Sequence, residues 1–193
     1  MNSLIDAEVA HYRSFLSEEE CLPAFDQLRD LTPWEQHVVR LFGRSHPAPR
    51  LSAWYGDPCA TYSYSGLKLS PQPWTPLLDQ LRQRISTLVS MPFNSALLNY
   101  YRYGADGMGW HSDDEPELGR DPCIASLSLG SERRFLMRHK TRSDLPTCQY
   151  ILGDGDLFIM QGPTQHHWKH QIPKTRRPVG ERINITFRYV YAE

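Results

Sequence analysis

"GERINITFRYV", residues 180–190, is the stretch on which the fold turns. Within it Arg182, Asn184, Thr186 and Arg188 alternate with Ile183, Ile185 and Phe187. A period of two is that of a β-strand whose faces differ in chemistry. One face is apolar and suits a core. The other carries two guanidiniums, an amide and a hydroxyl. A sheet with its polar face in water would show the same alternation. If the polar face turns inward instead, two arginines repel each other unless an anion lies between them. Guanidinium forks match carboxylates bidentately, so a small dicarboxylate is the natural occupant.

Outward from this strand, the chain from Asn94 onward has the texture of a sheet protein. Short β-like runs ("ALLNYYRY", "CIASLSLG", "RRFLMRHK", "CQYIL", "DLFIMQ") are separated by the turn signals "GADG", "RSDLP", "GDGD" and "KTRRPVG". This spacing predicts a β-sandwich or jelly roll. Upstream, "SEEECLPAFDQLRD" (17–30) opens on a serine cap and acidic first turn and repeats apolar residues at helical spacing. "TPLLDQLRQRISTLV" (75–89) predicts a second amphipathic helix. Between them, "EQHVVRLFGRSHPAPRLSAWYG" predicts a protruding hairpin. The expectation is a mainly β fold with flanking helices in one domain of 193 residues: 94–193 the jelly-roll core, 1–93 an N-terminal extension laid over it.

A second stretch, "WHSDDE" at 110–115, crowds one imidazole and three carboxylates together. An acidic surface turn is the bland reading. On a strand, however, His111 and Asp113 point the same way. Further histidines follow at 139, 166, 167 and 170, three of them inside "QHHWKHQIP". As a strand, that segment places His166, Trp168 and His170 on one face and His167 on the other. Two histidines and one carboxylate leave open positions on one side of a non-heme Fe(II). Zinc accepts the same donors, so ligand type alone does not choose the metal.

Composition narrows the setting. The four cysteines form no C-x-x-C pair, which favours a reducing compartment. The first residues lack the basic start and apolar core of a signal peptide, and no apolar run reaches the roughly 18 residues of a membrane span. A soluble, cytoplasmic protein without membrane contact is expected. The net charge of -1 hides an uneven distribution: residues 131–182 hold ten Lys/Arg against five Asp/Glu, leaving eleven against seventeen elsewhere. A local basic tract of this kind can grip phosphates.

Taken in order, "NYYRYGADGMGWHSDDEPELG", "ASLSLGSERRFLMRHK", "GDLFIMQGPTQHHWKHQIPK" and "RINITFR" resemble the AlkB-type dioxygenases. The likeness extends upstream to "FGRSHPAPRLSAWYGDPCATYSYSG" and "LSPQPWTPLL", covering roughly residues 40–190. The resemblance implies a double-stranded β-helix (jelly roll) core with an N-terminal helix and hairpin nucleotide-recognition layer. It implies Fe(II), 2-oxoglutarate as co-substrate and O2. It implies oxidative demethylation of N-alkylated bases of the 1-methyladenine and 3-methylcytosine type, releasing formaldehyde, succinate and CO2.

Carried over residue by residue, it makes His111, Asp113 and His170 the iron ligands and catalytic centre. Asn99, Tyr101, Arg182, Asn184, Thr186 and Arg188 bind 2-oxoglutarate, with Arg182 at the distal carboxylate and Arg188 near the metal. Tyr64 stacks on the damaged base, with Tyr55, Tyr62 and Ser65 beside the nucleotide. Asp114 and Glu115 face the cationic base. Phe42 and Gly43 form a hydrophobic finger that unstacks a duplex, and Arg44 and Arg50 touch phosphates. The segment after the "RHK" strand, "TRSDLPT", is shorter than in duplex-preferring relatives, so the finger and the core motifs point to different strandedness. The expected partner is alkylated DNA, single- or double-stranded, acted on by a monomer. The same chemistry on RNA, or a catalytically silent nucleic-acid binding module, are the alternatives.

Overall fold

The computed structural model describes residues 2–41, 44–60, 62–64, 67–69 and 71–191. In chain order the strands are β1 (Asn2–Leu4), β2 (Ala7–Tyr12), β3 (Val38–Leu41), β4 (Arg44–Pro47), β5 (Leu51–Gly56), β6 (Tyr62–Tyr64), β7 (Leu67–Leu69) and β8 (Ser95–Tyr101). They continue as β9 (Met108–His111), β10 (Ile124–Gly130), β11 (Arg133–His139), β12 (Cys148–Leu152), β13 (Leu157–Gln161), β14 (Trp168–Ile172) and β15 (Arg182–Arg188). The helices are α1 (Glu18–Leu31), α2 (Pro76–Val89) and the single turn α3 (Thr164–His167).

A seven-stranded sheet in the order β1-β2-β13-β10-β15-β8-β5 faces a four-stranded sheet in the order β12-β11-β14-β9. All pairings within them are antiparallel. This is the expected jelly roll. The β3–β4 and β6–β7 hairpins stand apart as two-stranded ribbons. Two apolar clusters hold the layers. Ile183, Ile185 and Phe187 of β15 pack with Leu98 and Leu127 against Phe25 and Leu28 of α1 and Leu78, Leu81 and Ile85 of α2. On the other side, Trp54, Ile124, Phe135, Met137, Phe158 and Trp168 fill the space between the sheets. Truncating a leucine at such a position costs about 2–5 kcal/mol.

Both predicted helices form where the caps place them. Ser17 and Glu20 make a reciprocal capping box at the start of α1. The Thr75 hydroxyl accepts from Leu78 N, with Pro76 in the first turn of α2. Among the described residues, no helix is long and apolar enough to cross a membrane.

Three features differ from the sequence expectations. The N-terminal segment is more than a layer: β1, β2 and β5 are hydrogen-bonded into the large sheet, so that sheet draws strands from both sides of residue 94. "TQHH" is a helical turn, and the strand begins only at Trp168. His166 and His167 therefore do not share a strand with His170, which instead shares its face with buried Trp168 and Ile172. Lastly, β9 ends at His111, so Asp113 sits in the following loop, not on the strand.

Candidate metal centre and its two chambers

The polar face of β15 is not in water. Every residue of the strand is buried, and the register with β10 sets Asn184 opposite Ser128 and Thr186 opposite Ser126. On the other side Asn184 faces Asn99 of β8, and Arg182 faces Tyr101. The interior of the jelly roll is thus a polar strip with charged ends.

Antiparallel pairing of β14 with β9 brings His170 opposite His111, their rings 4.1 Å apart. The loop beyond β9 then turns inward and is tied down. Ser112 Oγ donates to Trp168 O at 2.9 Å, and Asp113 N donates to the Gln165 side-chain oxygen at 2.9 Å. Gln165 is 0% exposed, so α3 serves as the post that fixes the loop. The result is a group of three donor atoms from His111, Asp113 and His170, all within 4.8 Å of one another.

The protonation states suit a cation. His111 Nδ1 lies 2.9 Å from Gly109 O. A carbonyl only accepts, so Nδ1 carries the proton and Nε2 keeps its lone pair for a metal. Burial, reinforced by His111 and Arg188 and opposed by Asp113, pushes His170 down to about 3, which leaves it neutral. Burial works against ionisation of Asp113, but Arg188, His170 and His111 outweigh it and hold the carboxyl below its usual value. Arg188 Nη2 donates to Asp113 Oδ1 at 2.7 Å, and Oδ2 stands 3.8 Å from His170 Nε2. Two imidazoles and one carboxylate form the facial set of a non-heme Fe(II).

Two chambers meet at this group. The inner one, about 40 Å³, is lined by Asn99, Tyr101, Arg182, Asn184, Thr186 and Arg188 together with the three donors. Arg182 is 1% exposed; its Nη2 donates to Ser128 Oγ at 2.9 Å, while Nε and Nη1 are buried without a partner. Burial pushes it down to about 10, against the Tyr101 ring 5.3 Å away, and it remains a cation. Two unpartnered nitrogens on a buried guanidinium are what a carboxylate would satisfy. The residues present therefore fit both Fe(II) and 2-oxoglutarate. Asn184 and Thr186 line the chamber with their hydrogen bonds committed elsewhere. The Asn184 amide nitrogen donates to Ser126 Oγ and Leu127 O, and its oxygen accepts from Thr186.

The outer chamber, about 170 Å³, is lined by His37, Arg50, Trp54, Leu97, Met108 and Glu115 among others. Arg50 lines this chamber, and its Nε donates to Asn99 Oδ1 at 2.8 Å. Glu115 faces the chamber, whereas Asp114 points away and pairs with Lys140 at 2.9 Å. Tyr55 is a correction. It is 4% exposed and packs in the cluster against α1 and α2. Ser52 is the register partner of Asn99, so Ser52 and Trp54 face the site and Tyr55 faces the opposite way. Trp54 carries the same parity as Ser52 and was readable from the alternation once β5 was aligned. His37 had no signal in the sequence. Phe42, Gly43 and Ser65 lie outside the described residues, and for Arg44, Tyr62 and Tyr64 only the backbone is described.

A second group, Asp6, His139 and His167, also brings donor atoms within 4.8 Å. Here the tautomer is wrong for a metal. His139 Nδ1 accepts from the backbone N–H of Thr141 and of Arg142, so Nε2 carries the proton and donates to Asp6 Oδ2 at 3.3 Å. The group is a hydrogen-bonded tie between the first turn and β11.

The comparisons with known proteins agree with this geometry. Residues 8–188 match the model of the 2OG-Fe(II) oxygenase superfamily. The chain is 40% identical to the Mus musculus alpha-ketoglutarate-dependent dioxygenase alkB homolog 3, over 97% of this chain and 68% of that protein. It is 42% identical to the Bos taurus DNA oxidative demethylase ALKBH2, over 79% of this chain and 57% of that protein. The solved structure of OsALKBH1 superposes with a TM-score of 0.68 at 18% identity, covering 96% of this chain and 100% of that one, which speaks for the fold. The chain belongs to the 2OG-Fe(II) oxygenase superfamily, in its AlkB branch, whose enzymes work with Fe(II), 2-oxoglutarate and O2.

Proposed function

We propose that this protein is a DNA oxidative demethylase acting on N-alkylated bases of the 1-methyladenine and 3-methylcytosine type. The observation that carries this reading is the junction of the two chambers at His111, Asp113 and His170. One chamber offers unpaired cationic N–H groups to an anion, and the other offers an apolar wall and a carboxylate to a base. Likeness to an enzyme called a DNA oxidative demethylase supports DNA as the target.

His111, Asp113 and His170 would hold the iron. When bound, Fe(II) with 2-oxoglutarate and O2 supplies the oxidation of the N-methyl carbon, with succinate, CO2 and formaldehyde released. The chain does the positioning. Arg182 takes the distal carboxylate, and Asn99 and Tyr101 donate to the same ligand from β8. Arg188 keeps Asp113 ionised and fixes which carboxylate oxygen is free. Trp54, Leu97 and Met108 exclude water from the outer chamber. Glu115 favours a methylated base, which is cationic, over the neutral undamaged one. A duplex cannot enter a chamber of about 170 Å³, so the target nucleotide leaves the stack or starts unpaired.

The chain works as one dioxygenase domain and as a monomer, with the β3–β4 and β6–β7 ribbons within 1–93 supplying the nucleotide-recognition lid. By the resemblance, Tyr62, Tyr64 and Ser65, with Phe42, Gly43 and Arg44, would contact the nucleotide, and Asp114 would stand near the base. Four free cysteines suit the reducing cytoplasm.

The test is reaction of the Fe(II)- and 2-oxoglutarate-loaded protein with methylated oligonucleotides in single-stranded DNA, duplex DNA and RNA. Loss of one CH2 from the DNA, read by mass spectrometry, is the expected result. Turnover confined to RNA would move the substrate, and no loss on any methylated base would overturn the reading.

A further inference from the structure

Asn99 lines both chambers and sits on β8 between Ser52 and Asn184 in register. Its Oδ1 accepts from Arg50 Nε at 2.8 Å. A guanidinium has only donors, so this contact fixes which end of the amide is which. Oxygen faces Arg50, and the NH2 is turned the other way. Asn184, the register neighbour, shows the contrast: its NH2 is spent on Ser126 and Leu127. Asn99 is thus the amide on this strip that keeps its donors available.

Arg50 enters from the residues just before β5 and lines only the outer chamber. Among the described residues, Asn99 is the one hydrogen-bond partner of its side chain. The Arg50 side chain lines the chamber that would receive the nucleotide, while its Nε is held by an amide that lines both chambers. One guanidinium therefore belongs to both ligand sites.

We infer that Arg50 is a positioning residue for the co-substrate: it orients the Asn99 amide toward the inner chamber, and a nucleotide contacting the same guanidinium strengthens that orientation, so the two ligands bind cooperatively. This deepens the proposed function and rests on its assignment of the inner chamber to 2-oxoglutarate. The role differs from a phosphate contact, which would leave the inner chamber indifferent to Arg50. Coupling of this kind is reciprocal, each ligand tightening the other by the same factor.

The test is calorimetric titration of 2-oxoglutarate into the Mn(II)-loaded protein without O2, with and without a methylated single-stranded oligonucleotide. Arg50→Met should raise the Kd for 2-oxoglutarate by about tenfold, the scale of one lost hydrogen bond to a charged group, and should abolish the tightening by oligonucleotide. In an Asn99→Ala background the same substitution should leave that Kd unchanged, because the contact it acts through is gone. Arg50→Lys, which restores a donor, should recover part of the affinity. An unchanged Kd in Arg50→Met, or an equal loss with and without Asn99, would overturn the inference. Should Arg50→Met fail to fold, Arg50→Ala is read in the same way. Wild-type protein that binds no 2-oxoglutarate would instead refute the chamber assignment.

Discussion

Arg188 Nη2 holds Asp113 Oδ1 at 2.7 Å across 75 residues of chain, joining the last strand of the jelly roll to the loop that follows β9. The pair is buried, and it leaves Asp113 Oδ2 on the side of His170. One arginine thereby sets both the charge of the carboxylate and the oxygen that a metal meets.

Removing that cation should be costly even without metal. Arg188→Met leaves a buried carboxylate uncompensated, and breaking such a pair costs about 3–5 kcal/mol. Urea unfolding of the metal-free protein should show the loss, and Co(II) binding should weaken in parallel. Unchanged unfolding would mean that the pair contributes nothing to the fold.

Gln165 touches no metal donor atom, yet its side chain accepts from the Asp113 backbone. Gln165→Leu should lower Mn(II) affinity by about 10- to 100-fold, as loss of an outer-sphere partner does. Gln165→Glu keeps an acceptor and should recover much of it. Calorimetric titration of both variants decides the matter.

Asn184 separates lining from binding. Its amide is committed to Ser126, Leu127 and Thr186, so Asn184→Ala should cost about 1–3 kcal/mol of stability through stranded buried partners. Its effect on 2-oxoglutarate affinity should be smaller than that of Arg182→Met. The reverse order would mean that the amide turns to the ligand.

Asp156 makes part of the fold sensitive to acid. Burial raises its pKa, but the Gly153 and Ser14 backbone donors and His11 outweigh burial and hold it below the ordinary value of 3.8. A depressed carboxyl stabilises the fold above its unfolded pKa and loses that contribution as pH falls through the folded one. The gap in Tm between wild type and Asp156→Asn should therefore be constant down to about pH 4 and close below it. A gap that persisted at lower pH would assign the stability to shape and not to charge.

The chemistry of the site was more legible in the sequence than its geometry. The alternation in β15 announced a two-faced strand, because period two is a local property, but that its polar face turns inward shows only in the register with β10 and β8. His111 and His170 carry no local mark that pairs them; only the register of β9 with β14 does. β2 is hard to read because "AEVAHY" has a weak strand pattern and gains its ladder from the distant β13, where His11 stands opposite Phe158. Tyr55 was placed on the wrong face by a single residue, since an aromatic pair at Trp54 and Tyr55 leaves parity open until β5 meets β8. "TQHH" reads as strand from its neighbours, but Pro163 and the buried Thr164 and Gln165 turn it into the post beneath Asp113.

The most direct measurement is the ratio of formaldehyde to succinate when the wild-type protein, loaded with Fe(II) and 2-oxoglutarate, meets O2 and a single-stranded oligonucleotide bearing 1-methyladenine. Chemistry at His111, Asp113 and His170 directed into the outer chamber predicts one formaldehyde for each succinate, with Asp113→Ala yielding neither. Succinate without formaldehyde on every methylated DNA, or formaldehyde retained by Asp113→Ala, would contradict it.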